Sequence, residues 1–222
     1  MDWEAFLLSL ELGAATVVGL APLALWLGRA LAYRTFHGKG FAEALVALPL
    51  LLPPTVVGFY FLVLFGRNSP VGGAFEALTG HLLAFSFEGL LVASIIVNIP
   101  FAVQPMQRAF EAIEPSVREA GAVSGLSPWL VFFRIELPLA WPGIITGLVL
   151  TFAHTLGEFG VVLMVGVAIP GETKTIAIAI YDRVQAFDDA SANVMALTLL
   201  VLSIAALGIT NTLSRRIGRR HA

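Results

Sequence analysis

Five long apolar runs dominate this sequence: about Phe6 to Leu27, Ala44 to Phe65, Phe87 to Val103, Leu139 to Leu156, and Val194 to Leu213. A helix needs roughly 20 such residues to cross a hydrocarbon core of about 30 Å. Inside that core only helices and closed barrels satisfy their own backbone. Apolar runs this long without alternation are helical. The expected fold class is therefore all-α, a polytopic membrane helix bundle formed by residues 1–222 as a single domain. A further apolar stretch, Phe159 to Ile169, is too short to span alone. It could extend the fourth helix, bend as a half-helix or lie at the interface, so the count stands at five or six.

Composition excludes the main alternatives. Hydrophobic residues make up 58% of the chain, charged residues 13%, and the mean hydropathy is +0.87. Soluble domains carry about 25% charged residues, so an ordinary soluble enzyme is excluded. Disorder requires low hydrophobicity and is excluded too. A net charge of −2 offers no basic field for nucleic acid. The absence of cysteine rules out disulfides, thiol catalysis and a Cys-ligated metal.

Cations orient the bundle, because cytoplasmic loops are enriched in Lys and Arg. With the N-terminus outside, the inner segments hold Arg29, Arg34, Lys39, Arg108, Arg118, Arg134, Arg215, Arg216, Arg219 and Arg220. That is ten of the thirteen Lys and Arg; Arg67, Lys174 and Arg183 fall outside. Five spans then put the C-terminus in the cytoplasm. The acidic start (Asp2, Glu4) lacks the basic region of a cleavable signal, so the first helix is expected to be retained. The four C-terminal arginines are expected to act as a positive-inside anchor rather than as a lipid or partner site.

Several spans carry helix breakers. Pro22 lies in the first, Pro49, Pro53 and Pro54 in the second, and Pro100 and Pro105 at the inner end of the third. Each removes a donor and tends to kink its helix. Pro53-Pro54, followed by Thr55 and Gly58, would expose backbone at membrane depth. That suits the lining of a pathway, but neighbouring helices can also satisfy such a break.

Polar groups at membrane depth are few. Asn98 is expected to make an interhelical hydrogen bond. The fourth span carries Thr146, Thr151, His154, Thr155 and Glu158, with His154 and Glu158 four apart on one face. A mid-membrane carboxylate is presumed paired or functional. Too few such groups exist for a proton relay. The sequence has no metal-ligand cluster, no nucleophile elbow and no phosphate-binding Gly-rich loop. No catalytic or metal site is expected, and the chain is not expected to split ATP itself.

Between the third and fourth spans lies a polar segment, about 108–136. Pro115 suits the first turn of a short helix, Glu119 and Ala120 fall inside it, and Gly125 suits its C-terminal stop. A second short helix follows Ser127-Pro128. Such a helix could plug into a partner or lie on the headgroups.

This segment resembles the EAA loop of ABC-importer permeases: Glu-Ala-Ala, three residues, Gly, nine residues, Ile-x-Leu-Pro. Here Glu119-Ala120-Gly121 is followed by Gly125 and then by Ile135-Glu136-Leu137-Pro138. The one departure, Gly121 for Ala, keeps the position small. Leu52-Pro53-Pro54-Thr55-Val56-Val57-Gly58 resembles the molybdate permeases of the ModB type. So do Leu156-Gly157-Glu158-Phe159-Gly160, Ile169 to Lys174 and Thr175 to Tyr181. The likeness covers almost the whole chain. Tungstate and sulfate permeases share the EAA loop.

The resemblance implies a type I ABC-importer permease fold in the inner membrane, working as half of a homodimer. It implies an ABC ATPase partner, which would bind the ATP and Mg, and an extracytoplasmic oxyanion-binding protein. No cofactor is implied in this chain. Glu119 would make the coupling contact, Ala120 and Gly121 would allow close approach, and Gly125 would end the helix. Pro53, Pro54, Thr55 and Gly58, with Thr151, Thr155 and Glu158, are the candidates for the translocation pathway or gate. Because a carboxylate repels an oxyanion, Glu158 is expected to pair with His154 or support a gate rather than bind substrate. The alternatives are a tungstate or sulfate permease and, in another class, an ATP-independent channel or carrier.

Overall fold

A computed structural model describes residues 1–218, with side chains described through 208 except Ala122. It has helices α1 (Trp3–Tyr33), α2 (Lys39–Leu51), α3 (Pro54–Phe65), α4 (Pro70–Thr79) and α5 (Phe87–Glu111). These are followed by α6 (Pro115–Val123), α7 (Pro128–Val131), α8 (Leu137–Gly157), α9 (Gly160–Gly166), α10 (Ile176–Gln185) and α11 (Asp189–Gly218). A π-helical turn, Phe132–Glu136, joins α7 to α8, and no strand occurs among the described residues. The side chains of Arg215, Arg216, Arg219 and Arg220 lie outside the described part, so their expected anchoring role is not addressed by it.

Helix α1, α5, the continuous run Pro128–Gly157 and α11 are each long and apolar enough to cross a bilayer. The α2–α3 pair makes a fifth span only if a 104° bend is counted as one broken crossing. The second span is therefore two helices rather than one kinked helix. Each residue before a proline is pushed out of the α region, and here two such residues are consecutive. Leu52 (φ −86°, ψ 139°) and Pro53 (φ −55°, ψ 134°) are both extended, and Pro54 restarts the chain at a first-turn position. Of the options for 159–169, the structure forms a half-helix. The seven residues of α9 rise only about 10 Å, after a break at Glu158 and Phe159.

The centre of the bundle is α5, packed between α1 and α8. Leu20, Ala24 and Leu31 meet Ala102, Val103, Met106 and Phe110, with Ala140 and Ile144 closing the third side. In lipid, helices associate by close packing of small residues. Gly143 and Gly147, four apart on α8, provide that contact. A Cβ on Gly143 would lie 2.4 Å from the Ala109 Cβ, and one on Gly147 would lie 2.8 Å from the Ala102 carbonyl oxygen. A second core joins α3, α5, α9 and α10 through Phe61, Phe65, Leu90, Val97, Val161, Val165 and Ile178.

The topology separates the charges as expected. The C-terminal ends of α1 and α5, the start of α2, the loop with α6 and α7, and the start of α8 gather at one end, with Arg29, Arg34, Lys39, Arg108, Arg118 and Arg134. Arg67, Lys174 and Arg183 belong to the other end. There Ser9 Oγ on α1 accepts the Ile176 N–H of α10 at 2.8 Å. At that end the Arg67 guanidinium also hydrogen-bonds Glu76 on α4 and holds its carboxyl below the usual carboxylate range.

Candidate functional site

The loop helix forms as its residue pattern suggests. Pro115 opens α6, and Gly125 sits just beyond its end at φ +81°, a left-handed conformation that favours glycine. Ser127 caps α7, its Oγ accepting the Leu130 N–H at 3.4 Å. Glu119 and Ala120 are exposed, and the Glu119 side chain has no hydrogen bond or ion pair among the described residues. Gly121, expected with Ala120 to allow close approach, lies against the chain's own downstream segment. It is buried, and a Cβ there would lie 2.5 Å from the Ile135 Cδ1. Its small size lets α6 pack on the segment that follows it. Glu119 and Ala120 alone of that trio face outward.

Sequence reasoning missed what holds this helix in place. Glu136, the variable position of Ile-x-Leu-Pro, is completely buried. Its Oε2 accepts from Arg29 Nε at 2.5 Å, and its Oε1 accepts from Arg29 Nη2 at 3.1 Å and Arg118 Nε at 3.0 Å. The Arg118 guanidinium lies 3.5 Å from the centroid of the Tyr33 ring, a cation–π contact. Glu136 ends the π turn. That wide turn directly precedes Pro138, whose ring would collide with the Arg134 carbonyl in a regular α-helix. The available signal was a lone carboxylate beside the re-entry point with arginines on neighbouring segments.

At membrane depth a second constellation forms around Asn98. Its Nδ2 donates to the Ser94 carbonyl at 2.8 Å and to Thr155 Oγ1 at 3.1 Å, so its Oδ1 faces His154 Nδ1 at 3.1 Å. Phe101 stacks on the imidazole at 4.0 Å between centroids. Glu158 approaches His154 Nε2 at 3.7 Å, and its Oε1 accepts the Val161 N–H at 3.0 Å, which caps the start of α9. The interhelical role expected for Asn98 is present, and His154 and Glu158 lie side by side on one face as their spacing implies.

The candidate pathway residues divide into two groups. Pro53, Pro54 and Thr55 are exposed, while Gly58, Thr151, Thr155 and Glu158 are buried. A Cβ on Gly58 would lie 2.8 Å from Met164, and one on Gly160 would lie 2.8 Å from Pro54. The break between α2 and α3 thus packs against the break between α8 and α9. A cavity of about 180 Å³ lies between them, lined by Pro49, Leu52, Pro54, Phe101, His154 and Glu158. A larger cavity, about 650 Å³, opens at the end away from α6 among Glu11, His81, Glu88 and Glu172. Its carboxylates make it a poor seat for an anion. No cluster of three or more metal-ligating acids or histidines occurs among the described residues.

Asn98→Ala should lower stability by about 1 kcal/mol, the scale of interhelical hydrogen bonds in membranes. A thermal melt in detergent measures this. An unchanged midpoint would mean that the Asn98 bridge does not hold α5 to α8.

Residues 21–219 match the family described as binding-protein-dependent transport system inner membrane component. The chain belongs to that family. It is thus the membrane component of a transport system that depends on a binding protein, and a multi-pass protein of the inner membrane. It is similar to the molybdenum transport system permease protein ModB of Azotobacter vinelandii, 45% identical and covering 93% of this chain and 91% of that one. It also resembles ModB of Escherichia coli K12 (37% identical; 98% and 94% covered). The sulfate transport system permease CysT of the same strain is 33% identical over 83% of this chain and 66% of its own. A crystal structure of a bacterial ABC transporter that imports the acidic polysaccharide alginate matches with a TM-score of 0.75. It is 19% identical, covering 96% of this chain and 79% of that one. The fold is that of the type I ABC-importer permeases.

Proposed function

We infer that this chain is the membrane-spanning subunit of an ATP-driven importer that carries molybdate inward by alternating access. One observation carries the coupling role: α6 presents Glu119 and Ala120 to solvent, the Glu119 side chain without an ion pair among the described residues, on a helix that packs through Gly121 and stops at Gly125. A helix held this way suits insertion into a cleft of a separate ABC ATPase, where ATP and Mg would bind. Two copies of the chain would form the permease, each seating one α6. Helix α11, with Leu200, Val201 and Ile204 more than half exposed, would face lipid or the second copy.

The positive-inside rule puts the end bearing α6 in the cytoplasm, with the N-terminus outside. An extracytoplasmic binding protein would deliver the oxyanion at the opposite end. The pathway would pass the facing breaks at Pro53, Pro54 and Thr55, with Glu158 and His154 on the cavity wall. Gly58, Thr151 and Thr155 would hold the helices around it. The cavity between the breaks has no Lys or Arg in its lining. Passage would therefore be weakly binding, and selectivity would rest with the binding protein.

The near full-length ModB relatives favour molybdate over sulfate. Competitive uptake tests this, with the permease, its ATPase and its binding protein in proteoliposomes. Labelled molybdate uptake should withstand a large excess of sulfate and yield to tungstate. Labelled sulfate uptake that molybdate cannot displace would overturn the assignment.

A further inference from the structure

Glu136 is the most deeply buried ionisable group among the described residues, and the pathway does not use it. Taking a carboxylate out of water costs more than a single ion pair usually returns. Here both oxygens are engaged by two guanidiniums from separate elements, Arg29 on α1 and Arg118 on α6. Arg118 immediately precedes Glu119. Tyr33, one turn beyond Arg29 on α1, supports the Arg118 guanidinium with its ring.

Around Gly121 the packing of α6 is local. Its glycine contact is with Leu126, Val131 and Ile135, residues just downstream. Beside the clamp a cavity of about 340 Å³ opens among Arg29, Pro115, Arg118, Glu119 and Pro128. Among the described residues, α6 meets the inner end of α1 through Arg118, which touches the Tyr33 ring and shares Glu136 with Arg29.

We propose that Glu136 is a positioning residue which, through Arg29 and Arg118, locks α6 to the inner end of α1, so that a displacement of α6 moves α1 with it. This rests on the importer reading above. Without the clamp, the Gly125 turn and the open flank would absorb the movement.

Arg118→Gln is the selective test. It frees α6 but leaves the bidentate Arg29–Glu136 pair, so no buried carboxylate is orphaned and the bundle should fold. Two readouts are taken on the reconstituted complex. Molybdate moved per ATP hydrolysed should fall at least about fivefold, the lower end of ordinary coupling between sites. Amide exchange across 115–123 should accelerate while that of α5 and α8 stays unchanged. Arg118→Lys, which keeps the charge but not the planar fork, should restore only part of the ratio. An unchanged transport ratio would overturn the proposal, and so would unchanged exchange in α6. If the unmodified complex shows no ATP-dependent uptake, the importer reading has failed, and the exchange result alone then decides whether the clamp holds α6.

Discussion

Glu119→Lys should abolish ATP-driven uptake while leaving the chain folded. Glu119 is exposed, and its side chain has no hydrogen bond or ion pair among the described residues. Exposed substitutions of this kind change stability by about 0.5 kcal/mol or less. The same reversal inside an interface that expects a carboxylate costs about 2–5 kcal/mol. At about 1.4 kcal/mol per factor of ten, ATPase binding through this contact should weaken at least tenfold. The signature is a normal melting midpoint with uptake lost. Normal substrate-stimulated uptake by Glu119→Lys would remove α6 as the coupling element.

Gly147→Leu should have the opposite signature, losing the fold itself. The new side chain would start 2.8 Å from the Ala102 carbonyl oxygen, a backbone atom of α5 that cannot yield without moving the helix. Overpacking of this kind costs about 1–3 kcal/mol, sometimes more. It would also part α5 from α8, where Asn98 bridges to Thr155 and His154. Folded yield in detergent should collapse. Gly157→Ala is the matching control: nothing lies within 4 Å of its added Cβ. There a helix-favouring residue should be neutral or slightly stabilising, by up to about 1 kcal/mol. A well-folded Gly147→Leu protein would mean that α5 and α8 are not held by this close contact.

The parts of this molecule set by local chemistry were legible in its sequence. Run length marked the long spans. Pro115 and Gly125 bounded α6, and the i to i+4 spacing paired His154 with Glu158. Geometry that depends on distant partners was not legible. Pro53-Pro54 signalled a break, but two consecutive extended residues turned it into a 104° bend. Short helices such as α4, α9 and α10 span too few residues for a periodic pattern to declare them. The contact of Gly121 with Ile135 was not legible because Ile135 lies beyond a turn. Glu136 looked like a variable position because Arg29 is 107 residues away in the chain.

In the proposed function this chain works as the membrane half of an ATP-driven machine, engaged through α6. Purification of tagged protein from its native membrane in mild detergent tests it most directly. We expect an ABC ATPase to co-purify at about one copy per permease chain and to be lost from Glu119→Lys. A homogeneous preparation without ATPase that still moves molybdate into liposomes in the absence of ATP would contradict the account.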